Sequence, residues 1–397
     1  MLSFHFWMAN NSLSANNILT KGTTNELIDE AIETMGDEGD IKFGQDFLGI
    51  AFAFTVKKKT DGVFNKPVFS FSGGVTEQLG VGFKFSKNFM DLAWNGNRQF
   101  EGKTIRLDPL ILNALYNREY FIGLAFPLLA KDKFHWRLGA RIRYLQGIGS
   151  IYMPAANRGT FYTAPDGRSI EVDLDMKINM SGISDEFSPL DFNGRGIGTD
   201  LGMTFISNER AFYHISVLDI GGINFKNKTR EITNNQKIVY NGLFFTGLFG
   251  GDVDTQIDSL ETILNSEVTD DVDFRMPLST RFVFQFEYRT PMVTNRGRRF
   301  YSNSFYLTYV QGFKDMPRSS AKPFFQFAYG RDFNSIFNIG GNMGFGGVNG
   351  TFTLGAFTSV RAGPFRLGLG VGNITGYLVK KKASGIDFTF QITFASK

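Results

Sequence analysis

The sequence contains no cysteine and only three histidines among its 397 residues. The absence of cysteine excludes disulfide scaffolds, thiol nucleophiles and cysteine-ligated metal sites. His5, His135 and His214 are scattered and lack the spacing of metal ligands. Basic residues number 42 against 38 acidic ones, an excess too small and too dispersed for a nucleic-acid-binding surface. We therefore expect no metal, no cofactor and no nucleic-acid partner.

Long apolar runs are also missing. A membrane-spanning helix needs about 18 or more consecutive apolar residues, whereas the best runs are residues 48–56 and 120–130. Residues 1–10 lack the basic start and the apolar segment of a secretory signal. We expect either that a signal was removed or that the start is misplaced.

Phenylalanine and glycine are abundant, with 44 and 45 copies, and hydrophobic residues alternate with small or polar ones from about residue 41 onward. This period of two is typical of strands. Rows of alternate uncharged residues occupy 48–56, 79–85, 120–126, 136–144, 170–180, 282–288, 352–360, 365–371 and 386–394. Several rows are about 9 to 11 residues long, the length of a strand that crosses an outer membrane. The sequence predicts an all-β, transmembrane antiparallel β-barrel of about 14 to 16 strands.

A soluble β-sandwich or lipocalin-like barrel is the alternative, because it also shows alternation. The polar face argues against it, since Gly49, Ala51 and Ala53 stand where a soluble surface favours lysine, glutamate and threonine. Closing so many long strands would also leave an interior too wide for side chains to fill.

Two segments have a helical period instead. Thr23 to Glu26 forms a capping box before Leu27, Ala31, Ile32 and Met35, and residues 254–264 place Ile257, Leu260, Ile263 and Leu264 on one side. We expect two short helices, in surface loops or in a plug. The predicted division is residues 1–40 as an N-terminal strand remnant with a helix, and 41–397 as the barrel with a helical insertion near 254–265.

The lengths of the connections predict an orientation. If the last strand ends at the periplasm, the short connections 131–133, 226–229 and 361–364 face the periplasm, as expected of these barrels. The long connections 87–113, 149–168 and 246–273 then lie outside. Residues 182–193 form a long exception on the inner side.

Charges on the polar face predict a ladder inside the barrel. Arg137, Arg141 and Arg143 alternate along one predicted strand, and the next predicted strand carries Glu171, Asp173 and Asp175. Neighbouring strands would then present opposite charges to one enclosed space. The ladder is either a charged constriction that selects solutes or a set of ion pairs that fill the barrel.

Other motifs are weak, and we expect no catalytic residues and no enzyme. Gly102-Lys103-Thr104 lacks the glycine five residues earlier that a phosphate loop needs. His214 and Ser216 together suggest an outer-membrane phospholipase, but an ordinary lumen histidine fits better. Acidic residues around 252–258 and 270–273 lack calcium-loop spacing and are expected to be solvated. Lys380 to Lys382 precede the last strand on the expected outer side, where lipopolysaccharide phosphates would attract them; a solvated loop is the equal alternative.

Two segments resemble an uncharacterised family of outer-membrane β-barrel proteins from Bacteroidota. These are Asp91-Leu92-Ala93-Trp94-Asn95-Gly96-Asn97, followed by Phe100, Gly102, Lys103 and Thr104, and Val217-Leu218-Asp219-Ile220-Gly221-Gly222-Ile223-Asn224-Phe225; Tyr144-Leu145-Gln146-Gly147 is a third match. The resemblance implies a fold in the membrane-barrel group that includes fatty-acid transporters. It implies no substrate and no catalytic residue.

Two functions remain open. The first is passive uptake of a small or hydrophobic ligand through the bacterial outer membrane. It is suggested by an apolar patch expected at the outer mouth, made of Leu243, Phe244, Phe245, Leu248 and Phe249. The second is a non-transporting subunit or scaffold of an outer-membrane secretion, assembly or surface complex. Expected partners are outer-membrane lipid, lipopolysaccharide and other outer-membrane proteins.

Overall fold

The structure is a computed structural model. It describes residues 1–12, 28–29, 31–33, 35–58, 66–130, 134–154, 158–167, 169–183, 188–235, 237–241, 267–293, 299–333, 336–349, 352–375 and 385–394.

The described residues are mainly strands. They are β1 (Leu2–Asn10), β2 (Glu38–Lys58), β3 (Lys66–Ser86), β4 (Thr104–Arg106), β5 (Leu110–Ala130), β6 (Phe134–Tyr152), β7 (Arg158–Thr163), β8 (Ser169–Ser181), β9 (Gly194–Ser207), β10 (Ala211–Phe225), β11 (Thr229–Asn234), β12 (Lys237–Asn241), β13 (Glu267–Asp270), β14 (Phe274–Pro277), β15 (Arg281–Val293), β16 (Arg299–Gly312), β17 (Phe324–Phe333), β18 (Phe337–Gly346), β19 (Thr353–Ala362), β20 (Phe365–Asn373) and β21 (Ile386–Phe394). Helix α1 (Lys87–Asn95) and a 3-10 turn (Arg98–Phe100) follow β3, and residues 28–29 and 31–33 are helical. None of the described helices is long and apolar enough to cross a bilayer.

Fourteen antiparallel strands form a closed barrel. The wall runs β1, β2, β3, β5, β6, β9, β10 and then β15 to β21 in chain order. β1 closes the ring because it pairs with β2 on one side and with β21 on the other. The predicted transmembrane antiparallel β-barrel is therefore confirmed.

The faces of the wall differ as the sequence predicts. On β6, the side chain of Ile142 points outward and Arg143 inward, so the residues are 62% and 1% exposed. Ile50, Ile122 and Ile197 continue the exposed apolar belt on β2, β5 and β9. A bulge at Gly49 shifts the alternation on β2, because Leu48 pairs with Thr76 and Ile50 with Val75. Leu48 therefore lies on the other face from the row to which the sequence assigned it.

The wall is uneven in height. β2, β3 and β5 each contain 21 residues, whereas β17 to β21 contain 9 or 10. β1 begins and β21 ends at one end of the barrel, where connections such as 208–210 and 363–364 are short; we call this the short-turn end. The long strands extend beyond the belt at the opposite end, the long-loop end.

An extension sheet of β4, β7, β8 and β12 stands at the long-loop end. It packs with α1 over a small core of Leu92, Phe100, Ile105, Leu107, Phe161, Ile170 and Val172. The prediction that residues 170–180 cross the membrane is therefore wrong. Their alternation reflects burial against a protein core, which gives the same period of two as burial against lipid.

The extension sheet explains why the predicted strand number and topology differ from the observed ones. Residues 228–245, also predicted as a wall strand, contain β11 and β12 at the long-loop end, and 67–76 and 79–85 belong to the single strand β3. Connections 182–193 and 226–229 consequently both lie at the long-loop end. The predicted domain boundary at residue 40 falls inside β2, and β1 is part of the wall.

Candidate functional site

Residues 313–323 connect β16 to β17 and cross the barrel lumen; we call them the crossing loop. β16 and β17 lie half of the ring away from β2 and β3. Nevertheless Arg318 forms an ion pair with Asp46 of β2. A Cβ atom built on Gly80 of β3 would lie 3.1 Å from Cβ of Pro317. The loop therefore divides the lumen.

The loop is tightly folded by its own hydrogen bonds. The amides of Met316 and Ser319 each donate to the carbonyl of the other residue, both at 3.1 Å. The Asp315 carboxylate accepts from the amide of Ala321 at 3.0 Å. Gly312 precedes the loop, and a Cβ there would approach Cβ of Ser319 to 2.8 Å. Only glycine fits this approach without a shift of the loop.

Lys42 of β2 forms the second link to the opposite wall. Its Nζ donates to the carbonyl of Ser319 at 2.7 Å and lies 3.4 Å from Oδ1 of Asp315. Burial opposes ionisation of Asp315, but Lys42, the Ala321 amide and Lys84 outweigh burial and lower the pKa of its carboxyl below the ordinary value. The folded structure therefore favours the ionised carboxylate of Asp315.

His5 extends the link to the strand that closes the barrel. Its Nε2 lies 2.9 Å from Oδ2 of Asp387 on β21, and its Nδ1 lies 3.5 Å from Oδ2 of Asp46. Asp46 thus lies between His5 and Arg318. The crossing loop, β2, β1 and β21 are joined by one chain of polar contacts.

A buried ion cluster lies on the side of the lumen formed by β5, β6, β9 and β10. Arg143, at 1% exposure, reaches Asp219 at 2.6 Å, Asp200 at 2.8 Å and Glu119 at 3.2 Å. Arg281 of β15 binds the other oxygen of Asp219 at 2.6 Å. Three carboxylates therefore converge on one guanidinium, and each belongs to a different strand.

Asp219 reaches the cluster because β10 bulges there. The register with β9 shifts between Val217 and Ile220, Asp219 takes a left-handed φ of 59°, and its amide donates to Asp200 at 2.7 Å. Thr280 donates its hydroxyl to the carbonyl of Asp219 at 2.7 Å. The crossing loop is attached beside this bulge, where the Phe313 amide donates to the Thr280 carbonyl at 3.1 Å.

Apolar side chains fill the space between the ion cluster of Arg143 and the long-loop end. Met316 of the crossing loop packs there with residues of β5, β6, β10 and β14. This apolar cluster consists of Leu115, Leu145, Ile223, Phe225, Met276, Leu278 and Met316. Four of its members, Leu145, Ile223, Phe225 and Met276, are fully buried. The loop is therefore held by a dry core on one side and by ion pairs on the other.

Space remains beside the loop along β1, β20 and β21. A cavity of about 470 Å³, which we call the loop cavity, is lined by Trp7, Pro317, Phe324, Val348, His5 and Arg281, among others. A second cavity of about 700 Å³ is lined by residues of β16 and β18 to β21, including Phe357, Asn342 and Arg366. Both cavities contact Gly372 and Asp387, so they adjoin at the β20–β21 wall.

The predicted charge ladder is only partly assembled, and its acidic strand is wrong. Glu171 pairs with Lys237 at 2.7 Å, and Asp175 lies 3.8 Å from Arg158, all in the extension sheet. Asp173 stands opposite Lys237 in the same sheet. The wall strand that neighbours β6 is β9. Arg141 and Arg143 therefore bind Asp200, while Arg137 has no ion pair among the described residues.

Other candidates lie apart from this site or outside the described residues. Leu243, Phe244, Phe245, Leu248 and Phe249, the helix at 254–264 and Lys380 to Lys382 fall outside the described residues. His214 contacts Thr204 at 3.0 Å, and its ring is 3.9 Å from Glu287. Within the described residues, no group of three or more acidic or histidine side chains could hold a metal ion.

Neither the crossing loop, nor α1, nor the role of Asp219 was predicted from the sequence. A signal for α1 was available, because Ser86 precedes Phe89, Leu92 and Ala93 at helical spacing and its hydroxyl accepts from the Phe89 amide. The Leu218-Asp219-Ile220-Gly221 segment was noticed only as a resemblance. Its positive φ values at Asp219 and Gly221 explain why aspartate and glycine stand there.

Comparisons with solved structures find matches of low sequence identity. The toluene transporter TbuX of Ralstonia pickettii is 10% identical, covers 100% of this chain and 90% of its own, and has a TM-score of 0.41. The toluene transporter TodX of P. putida is 8% identical over 100% and 91%, with a TM-score of 0.41. A Pseudomonas aeruginosa FadL homologue is 9% identical over 99% and 89%, also at 0.41.

No curated protein matches the chain. The sequence model described as "Family of unknown function (DUF5723)" matches residues 1–372. This range includes the crossing loop, Arg143 with its three carboxylates, and all wall strands except β21 and the last residue of β20. The chain therefore belongs to the family of unknown function DUF5723.

Proposed function

We propose that the chain is a bacterial outer-membrane barrel for passive uptake of a small, mainly apolar ligand, with the crossing loop as its gate. The short-turn end then faces the periplasm and the extension sheet faces outward. The exposed apolar belt of Ile50, Ile122, Ile142 and Ile197 supports contact with outer-membrane lipid.

The loop cavity is the observation that carries this proposal. Its volume of about 470 Å³ lies within the usual range of small-molecule sites. Aromatic and aliphatic side chains such as Trp7, Phe324 and Val348 supply apolar contact, and His5 and Arg281 supply polar groups. Such a lining suits a ligand with an apolar body and a single polar group.

A route past the loop needs only local movement. The loop cavity and the larger cavity adjoin at Gly372 and Asp387, on the side away from the apolar cluster. The loop is attached there by Lys42 and Asp46 through ion pairs, which can break and re-form. Displacement of the loop from β2 would therefore join the two cavities into one passage.

A disulfide lock tests the gate, and the absence of native cysteine makes it specific. A Cβ on Gly82 would lie 3.4 Å from Cα of Pro317, so Gly82→Cys with Pro317→Cys brings two thiols within bonding reach. The oxidised double variant should show no conductance in a planar bilayer, and reduction should restore it. The two single variants are the controls. Equal conductance of the oxidised and reduced forms would exclude the loop as the gate.

Fluorescence of Trp7 tests the ligand class. Trp94→Phe with Trp136→Phe leaves Trp7 as the single tryptophan of the chain. Toluene or octanoate should change its emission saturably, and glucose should not. Emission that is unaffected by both apolar probes would count against an apolar ligand.

A non-transporting scaffold is the second candidate, favoured by one observation. The apolar cluster and the ion cluster of Arg143 occupy one side of the lumen with the protein's own side chains. Stoichiometric partner proteins in a native-detergent preparation, together with no conductance in any redox state, would support this alternative.

A further inference from the structure

A third cavity, of about 570 Å³, lies in the lumen on the β6 side, in the half near the short-turn end. Directly paired residues of four neighbouring strands form a row along its wall: Arg137 stands opposite Thr204, Thr204 opposite His214, and His214 opposite Gln285. Because direct partners on antiparallel strands share a face, the row presents four polar side chains to one space. All four line this cavity.

Arg137 carries a charge that no described acidic residue compensates. The part of the chain that the structure describes places no carboxylate within ion-pair distance of its guanidinium. The two nearest acidic residues along the row's strands pair with other arginines, Asp200 with Arg141 and Arg143, and Glu287 with Arg289. Glu287 also lies 3.9 Å from Nε2 of His214, at the far end of the row from Arg137. A half-buried cation without a counter-charge is costly unless a ligand supplies that charge.

The neighbouring row leaves room for a ligand. Gly139 and Gly202 pair directly, and Gly202 pairs with Ser216. A Cβ on Gly139 would meet its nearest atoms at 3.7 Å, an ordinary contact, so nothing in the wall prevents a side chain there. The small residues therefore keep open the space next to Arg137.

Hydrogen-bond donors surround this space. His214 Nδ1 lies 3.0 Å from Thr204 Oγ1. In the tautomer in which Nδ1–H donates, the Thr204 hydroxyl hydrogen remains available to a ligand. The amide of Gln285 adds two N–H groups, and the guanidinium offers the paired donors that match two oxygens of one anion.

We propose that this cavity binds a small oxyanion, a carboxylate or a phosphate, with Arg137 as its principal ligand. This site is separate from the loop cavity and does not depend on movement of the crossing loop. Thr204, His214 and Gln285 bind further oxygens of the same anion.

Isothermal titration calorimetry on the full chain in detergent, with benzoate and with inorganic phosphate as separate probes, tests the site. We expect saturable binding of one probe, at least tenfold weaker in Arg137→Ala and partly retained in Arg137→Lys. Gly139→Leu should also abolish binding, because it fills the cavity and leaves Arg137 in place. Arg230→Ala is the control, since Arg230 lies on β11 at the long-loop end, outside the three cavities, and pairs with Asp270; it should bind as the unmodified chain does.

The result of the binding experiment can be distinguished from the result of the disulfide lock on the crossing loop. Binding by the oxidised Gly82→Cys, Pro317→Cys protein would show that the site stands when the loop is locked. Equal affinity of the unmodified chain and the Arg137→Ala variant, or no binding of either probe, would overturn the proposal. The tighter of the two probes identifies the oxyanion class, and electrophoretic mobility of the folded barrel confirms that each variant is folded.

Discussion

Arg318 of the crossing loop and Asp46 of β2 meet across the barrel lumen, with Nη2 and Oδ2 2.8 Å apart. The side chains are only 15% and 21% exposed. Removing one partner of such a pair leaves an uncompensated charge in a poorly hydrated space, which costs about 3 to 5 kcal/mol. The position of the loop therefore depends on a residue half of the ring away.

We expect Arg318→Ala to lower the free energy of unfolding by about 3 to 5 kcal/mol and to raise the open probability of the barrel. Urea titration followed by electrophoretic mobility measures the first effect, and planar-bilayer recording measures the second. Arg106→Ala is the control, because Arg106 is exposed and its partner Asp108 lies far from the loop. An unchanged urea midpoint for Arg318→Ala would show that the pair does not hold the loop.

Arg143 should be less replaceable than Arg318, because it faces three carboxylates that are themselves buried. Arg143→Ala is expected to lower the free energy of unfolding by several kcal/mol or to prevent folding. Arg143→Lys should fall between, since one ammonium nitrogen cannot reach the carboxylates that the two terminal nitrogens of the guanidinium contact separately. Folding yield into lipid vesicles measures both variants.

A second substitution distinguishes charge from packing at this cluster. If charge causes the defect of Arg143→Ala, adding Glu119→Gln should recover part of the lost stability, because Arg143 is the only cation that Glu119 pairs with among the described residues and its buried negative charge is then removed. If the double variant is no more stable than Arg143→Ala, the shape of the side chain matters more than its charge.

The barrel itself was predictable because alternation records a local property, the burial of one face of each strand. The rows at 282–288 and 386–394 are wall strands for this reason. The same property misled at 170–180, because Ile170 and Val172 are buried by Phe161 and Leu92 rather than by lipid. Alternation identifies a covered face and does not identify what covers it.

The partners of the arginines were not predictable because strand order is a non-local property. Arg141 and Arg143 were correctly placed on the inner face, but their acidic partners depend on which strand neighbours β6. The chain passes through β7 and β8 before β9 returns to the wall. Asp219 joins the cluster only through a backbone bulge, and the crossing loop carries no periodic signal at all.

Acid should loosen the crossing loop. Lys42 and the Ala321 amide lower the pKa of Asp315 from its ordinary value of 3.8, so the folded state favours the carboxylate. Stability from this group is then complete above about pH 4 and is lost as the pH falls through the lowered pKa. We expect a constant loop contribution from about pH 8 to 5 and a decline below about pH 4.

The difference in thermal midpoint between the unmodified chain and Asp315→Asn isolates this contribution from other titrating groups. The difference should be largest near neutral pH and should shrink in acid, because the unmodified chain then loses the same charge. A difference that stays constant down to about pH 2 would show that Asp315 does not titrate in this range.

The outward belt can be tested by placing a charge on each of two similarly exposed residues. Ile142 is 62% exposed on β6 within the belt, and Val239 is 53% exposed on β12 of the extension sheet. If both residues faced water, Ile142→Arg and Val239→Arg would have similarly small effects on stability, because both side chains point away from the protein. In a bilayer only Ile142 meets hydrocarbon, where arginine costs about 2 to 4 kcal/mol near the midplane. We expect Ile142→Arg to reduce folding into lipid vesicles and Val239→Arg to leave it unchanged. Equal yields of the two variants would mean that Ile142 does not face hydrocarbon, and the orientation of every wall strand would have to be reversed.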